Sequence, residues 1–216
     1  MSALTVCFSS TEHGLMDFPS VVAIDGPVAS GKTTVGRALA QRLGYTFIDT
    51  GLMYRAVTLF ALRAGVPLED TPELSKLATN LKLRFSKWRE GLTVDGSEIG
   101  EELRTAEIEG AVSLVAEVPG VRAAMLEEQR RIAEQGNVVM VGRDIGTKVL
   151  PNAAKAYLDA SVEERERRRR DELMAEGQGP APVTGRRSVN EARRRASEEI
   201  GDPPIVDKDK PTGGVT

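Results

Sequence analysis

The 216-residue sequence predicts a three-layer α/β fold, a mostly parallel sheet flanked by helices, and three observations carry that prediction. Val21-Val-Ala-Ile24 reads as a short buried strand, Gly26-Pro-Val-Ala-Ser-Gly31-Lys32-Thr33 follows at once, and a helical pattern begins there. Strand-length and helix-length segments then alternate, as βαβ units do. At about residues 66–105 the texture changes to short alternating runs around Asp95-Gly96, so a small antiparallel insert is expected.

Taken in order, Val35, Leu39 and Leu43 fall on one face of the first helix, which Gly44 stops. Residues 45–48 form a second strand, and Asp49-Thr-Gly-Leu-Met-Tyr-Arg55 turns into a helix reaching about Gly65. Pro72 opens a helix to about Asn80. Within the insert, residues 81–85, 92–95 and those around Ile99 alternate, and Trp88 is read as packing for this unit. Residues 103–117 and 121–134 carry helical periodicity, with a break at Pro119-Gly120. Residues 137–141 form a third core strand ending in Gly142-Arg-Asp-Ile-Gly146, and 154–158 a fourth. Ser161 caps the next helix, with Glu164 at the third helical position. Residues 177–185 are rich in Pro and Gly and are expected to be mobile, 186–200 to form a last basic helix, and 201–216 to be a disordered tail.

Composition narrows the function. Apolar content of 40% and charged content of 28% describe a globular protein with one well-filled core. A net charge of −3 and a pI near 5.5 carry no global basic field for nucleic acid, so any anion site is built locally. The single cysteine, Cys7, excludes an intramolecular disulfide framework and suits a reducing cytoplasm. The single histidine, His13, lies in an unpatterned stretch, so neither a histidine metal site nor a histidine general base is expected. No apolar run has the length of a membrane span, and residues 4–8 are too short for a signal-peptide core. Residues 1–19 are expected to be a disordered or mis-started leader, with Met16 as the start; a chain begun at Met16 should then be fully active.

The Gly26–Thr33 spacing is the P-loop. Its glycines let the backbone wrap closely enough to aim N–H groups at phosphate oxygens, and the positive end of the following helix serves the same anion. Gly26, Pro27, Val28, Ala29, Ser30, Gly31, Lys32, Thr33 and Thr34 are therefore the expected phosphate cradle, with Lys32 reaching the β/γ-phosphates and the Thr33 hydroxyl ligating Mg²⁺. Phosphoryl transfer also needs guanidinium groups around the charge in flight. Arg55 follows the second strand, and Arg143 and Asp144 follow the third, at the carboxyl ends where open α/β sheets bind ligands. The run Glu163-Glu-Arg-Glu-Arg-Arg-Arg-Arg170 has a plain reading as a solvated face with i,i+4 pairs from Glu163, Glu164 and Glu166. Adjacent arginines ahead of a Gly/Pro-rich stretch also fit a lid, at about 161–185, that closes over polyphosphate.

With these residues placed, the chain resembles the bacterial cytidylate kinases, P-loop nucleoside-monophosphate kinases, over roughly residues 20–175. The resemblance rests on Ile24-Asp-Gly-Pro-Val-Ala-Ser-Gly-Lys-Thr33, Asp49-Thr-Gly-Leu-Met-Tyr-Arg55, Leu103-Arg-Thr-Ala-Glu107, Gly142-Arg-Asp-Ile-Gly-Thr147 and Ala160-Ser-Val-Glu-Glu-Arg165. It implies a three-layer kinase domain over 20–200, whose insert belongs to the monophosphate-binding region. It implies ATP and Mg²⁺ as cofactors, CMP or dCMP as acceptor, no nucleic-acid or membrane partner, and a cytoplasmic monomer. Thr50 stands where the family has Ser or Thr near the acceptor; Arg55 and Arg143 resemble the groups holding the acceptor phosphate; Ser113, Arg122 and Asp144 resemble the cytosine-reading set, with Arg104 in support. Arg165, Arg168 and Arg169 match the lid arginines, and Lys32, Arg143, Arg165 and Arg169 are the expected catalytic groups. Cytosine offers an N4 donor to a carboxylate and N3/O2 acceptors to a guanidinium, and uracil reverses the polarity at N3 and at the exocyclic position.

Two departures stand out. Val141 occupies a position where some members carry Asp. After the lid, the family's Arg/Asp-rich segment, last strand and C-terminal helix are not recognisable in residues 186–216, so the sheet is expected to lack its outer strand. A truncated or frameshifted product, or a chain that covers that edge otherwise, would follow. Rival readings are another P-loop kinase acting on UMP or AMP, or a catalytically impaired nucleotide-binding remnant; the absence of an Asn-Lys-x-Asp motif weighs against a GTPase.

Overall fold

The computed structural model describes residues 5–7, 19–86 and 91–175. Its principal sheet is built from β1 (Thr5–Cys7), β2 (Val21–Asp25), β3 (Thr46–Asp49), β7 (Val138–Gly142) and β8 (Ala154–Tyr157), in the spatial order β1-β8-β2-β7-β3. The last four are parallel, with Asp25 opposite Gly142 and Asp49 opposite Val141, so the ends of β2, β3 and β7 reach one edge together. Between β3 and β7, β4 (Leu83–Phe85), β5 (Leu92–Val94) and β6 (Ser97–Ile99) form the expected antiparallel insert. Its β5–β6 turn has Asp95 at φ 49° and Gly96 at φ 88°, the paired positive dihedrals of a hairpin turn.

Alternation within β2 and β7 makes the layers. Val22, Ile24, Val139 and Val141 pack with Ala40 of α1 (Lys32–Leu43). Ala23, Val138 and Met140 join the larger core on the other face. That second core gathers α2 (Thr50–Arg63), α3 (Thr71–Asn80), α4 (Ala106–Glu117), α5 (Pro119–Ala133) and the insert. Burial of both sheet faces is why these strands read as continuous apolar runs.

Three local expectations are corrected. The buried face of α1 is Gly36 and Ala40; Val35 is 39% exposed. The helix lies so close to the sheet that a Cβ on Gly36 would sit 2.5 Å from Val141 Cγ1, so small residues make the closest contact while Leu39 packs half-buried against the same core. The break between the two helices falls at Val118, one residue before the expected Pro119-Gly120, which instead form the first turn of α5, and Gly120 lets α5 approach Ser75 of α3. Residues 101–104 form a short 3₁₀ turn, and Thr105 caps α4 through its side chain.

The β8 edge, expected to be unpaired, carries β1 in antiparallel register, with Thr5 opposite Tyr157 and Cys7 opposite Lys155. A strand thus lies within the stretch expected to be a disordered leader. The rest of residues 1–18, including Met16, lies outside the described residues, as do Trp88 and the segments expected to be mobile (177–185), a basic helix (186–200) and a disordered tail (201–216). The helix after the fourth strand is α6 (Val162–Ala175), with Glu164 N–H donating to Ser161 Oγ at 3.3 Å as the cap pattern predicts. Residues 1–169 make one compact unit and 170–216 another; of the second only Arg170–Ala175, the end of α6, is described.

Candidate active site

The P-loop connects β2 to α1 through a backbone that few sequences can follow. Gly26 has φ 153°, and a Cβ there would collide with the Leu158 carbonyl oxygen. Ala29 (φ 61°) and Gly31 (φ 96°) add two further left-handed residues. Helix α1 begins with no side-chain cap and no acidic residue in its first turn, so its leading N–H groups are left for an anion. Ser30 Oγ is buried without a hydrogen-bond partner in the same loop. Lys32 Nζ donates to the Pro27 carbonyl at 2.6 Å. Burial, then the nearby Arg143 guanidinium, push the Lys32 ammonium below its ordinary range against the pull of Asp49 and Asp25. A half-buried ammonium near further cations, beside an orphan hydroxyl and uncapped helix N–H groups, suits an arriving anion.

Asp25 builds the opposite wall. Its carboxylate, 8% exposed, accepts from Ile145 N–H at 2.8 Å and Gly146 N–H at 2.7 Å. These donors open a π-helical turn over Ile145–Val149, which follows Arg143 and Asp144 directly. One side chain at the end of β2 therefore pins the loop that presents both predicted residues at the end of β7. A charged residue closing a buried strand was the sequence signal for it, and site reasoning passed it over. Asp49 was passed over too. It caps α2 by accepting from Gly51 N–H at 3.0 Å, and Thr33 Oγ1 donates to its other oxygen at 3.3 Å. A hydroxyl and one carboxylate fit a Mg²⁺ ion whose remaining ligands are water and phosphate oxygens.

On the acceptor side, Arg122 Nη2 donates to Asp144 Oδ2 at 3.0 Å, bringing together two members of the expected base-reading set. Tyr54 lies beside them: burial raises its hydroxyl pKa, with Asp144 adding to the rise, while Arg122 and a hydrogen bond with Gln129 oppose it. Ser113 is exposed on α4. Thr50 is buried, its hydroxyl donating to the Val141 carbonyl at 2.9 Å, so it fastens α2 to β7. Arg104 lines a cavity of about 390 Å³ with Asp49, Leu52 and Phe85, between α1, β3 and the insert. Arg55 donates to the Leu103 carbonyl at 3.0 Å and pairs with Glu109.

Helix α6 brings its arginines to both sides. Arg165 lies close enough to affect Lys32 electrostatically and donates to the Ala160 carbonyl at 3.1 Å. Arg168 Nη1 lies 3.5 Å from where a Cβ on Gly31 would stand, directly over the P-loop. Arg169 reaches Glu109 at 3.2 Å. Glu164 takes Arg167 and Arg168 together, and those hydrogen bonds hold its carboxyl down to about 2. Some of the expected intrahelical pairing therefore exists, yet the helix still aims cations at the phosphate loop.

Comparison with known proteins gives the family. The family model described as cytidylate kinase matches residues 22–196, beyond the 20–175 span that the motifs cover. The cytidylate kinase of Pelotomaculum thermopropionicum is 52% identical over 164 residues, 74% of this chain and 72% of the relative. That of Caldanaerobacter subterraneus subsp. tengcongensis is 45% identical over 181 residues, 83% and 79% of the two chains. A bifunctional pantoate ligase/cytidylate kinase of Synechococcus is 41% identical over 189 residues, 85% of this chain but 35% of that longer one. A phosphate loop at the end of β2, an Arg–Asp pair at the neighbouring strand end, and a family match over most of the sequence lead to one assignment: the chain belongs to the cytidylate kinase family.

Proposed function

We propose that this chain transfers the γ-phosphoryl group of ATP to CMP or dCMP, giving ADP and CDP or dCDP. The observation that carries the choice of acceptor is the Arg122–Asp144 pair, held beside the P-loop strand by Asp25. Asp144 accepts from the cytosine N4 amine, and Arg122 donates to O2 and N3. The names of the relatives point to the same substrate. Residues 26–34 cradle the donor phosphates, Lys32 neutralises their charge, and Arg165 and Arg168 approach from α6. Arg55 and Arg143 grip the acceptor phosphate, and Arg104 lies at the same side. Mg²⁺, held by Thr33 and Asp49 when bound, supplies charge neutralisation on the donor. Catalysis is then positioning and electrostatic stabilisation, with no covalent intermediate on the protein.

The reading has the enzyme act as a monomer in the cytoplasm, which the single cysteine suits. Among the described residues no helix is long and apolar enough to cross a membrane. Sedimentation at working concentration checks the monomer. A panel of CMP, dCMP, UMP and AMP with ATP and Mg²⁺ tests the activity. Preferred turnover of the cytidine nucleotides is expected. Preferred turnover of UMP or AMP would refute the acceptor, and tight nucleotide binding with no turnover would refute the enzyme.

A further inference from the structure

We propose that Glu109 is a positioning residue that ties the acceptor-phosphate arginine to the lid helix, so that the two sides of the site are set together. The proposal rests on the reading of Arg55 as an acceptor-phosphate ligand. Glu109 lies on α4, and its two oxygens go to different helices: Oε1 pairs with Arg55 Nη1 of α2, and Oε2 with Arg169 Nη2 of α6 at 3.2 Å. Its side chain is only 16% exposed, against 22% for Arg55 and 29% for Arg169, so water screens these pairs poorly.

The hydrogen count on Arg55 gives the pairing its purpose. A guanidinium carries five donors. Nη1 donates to the Leu103 carbonyl and makes the ion-pair contact with Glu109. Among the described residues nothing else bonds to Arg55, so Nε and Nη2 remain, and they form the fork that receives a phosphate with two parallel hydrogen bonds. Glu109 therefore fixes the rotation of the guanidinium without occupying its phosphate-binding edge. The same carboxylate holds Arg169, so α6 is anchored beside the acceptor by Arg169 and over the P-loop by Arg168.

Steady-state kinetics of the full chain and of Glu109→Gln, Arg169→Met and the double variant test this. Glu109→Gln keeps the shape but serves only one guanidinium with its oxygen. It should raise KM for CMP about tenfold, the scale of one charge-assisted hydrogen bond, with KM for ATP changed less than about twofold. In the Arg169→Met background the same substitution should cost clearly less in kcat/KM, because one of its two partners is already gone. An unchanged KM for CMP, an equal cost in both backgrounds, or a loss spread evenly over both substrates together with a lowered melting temperature would overturn the proposal. Failure of the parental chain to phosphorylate CMP would instead overturn the proposed function, so the two failures are distinguishable.

Discussion

Asp25→Asn isolates the buried cross-brace between the P-loop strand and the Arg143–Asp144 loop. The substitution keeps size and shape and changes only charge and donor pattern. Asp25 accepts two backbone N–H groups, at 2.8 and 2.7 Å, from an 8% exposed position. An asparagine oxygen can serve one of them, and its amide nitrogen then faces the other donor to donor. Losing a hydrogen bond to a charged group costs about 1.5–3 kcal/mol, and stranding the partner N–H about 1–3 more. Relief from burying a charge offsets part of this, leaving a net cost of about 2–4 kcal/mol. At about 2–4 °C per kcal/mol for a chain of this size, the melting temperature should fall by roughly 10 °C. Differential scanning calorimetry of the ligand-free proteins reads the shift. Initial rates should also show KM for CMP rising more than KM for ATP, because the unpinned loop carries acceptor residues. A drop under about 2 °C with unchanged KM values would refute the reasoning, since the brace would then carry neither stability nor loop position.

Three further outcomes follow from the same geometry. Lys32 has its folded pKa lowered, so its ammonium deprotonates before a free lysine would; nucleotide binding needs the charged form, and ATP affinity should weaken as pH rises through that lowered pKa. Calorimetric titration from pH 7 upwards reads this, Lys32→Arg should flatten the dependence, and Lys32→Ala should lower turnover by orders of magnitude. Asp144→Asn supplies a donor where cytosine needs an acceptor, so the CMP-to-UMP ratio of kcat/KM should fall about tenfold or more, read in the nucleotide panel. Gly26→Ala places a Cβ against the Leu158 carbonyl at a left-handed φ, and should lose ATP binding and thermal stability together in a titration and a melt.

How much was legible depends on the range of the interaction. The P-loop is a local device: its glycines, lysine and threonine act through backbone dihedrals and a helix end within ten residues, so spacing alone identified it. The βαβ order, the Asp95-Gly96 turn and the Ser161 cap were readable for the same reason. Val35 was placed on the wrong face because periodicity weighs apolarity, whereas the sheet selects Gly36 for closeness to Val141. Thr50 resembles a family residue near the acceptor, but that its hydroxyl bonds to a strand 91 positions away is something no local pattern reveals.

The sequence by itself determined that this chain binds a nucleotide phosphate on an α/β sheet, and its separated motifs pointed to cytidine monophosphates. Those facts reside in short stretches whose backbone geometry their own residues impose. Only the tertiary structure decided which other groups work together: Asp25 with the loop 120 positions on, Asp49 with Thr33, and Glu109 between Arg55 and Arg169. It also put Thr5–Cys7 on the open edge of β8. These are charge and hydrogen-bond pairings across the parallel sheet and its helices, created when strands distant in the chain end side by side, and spacing along the chain carries no trace of them.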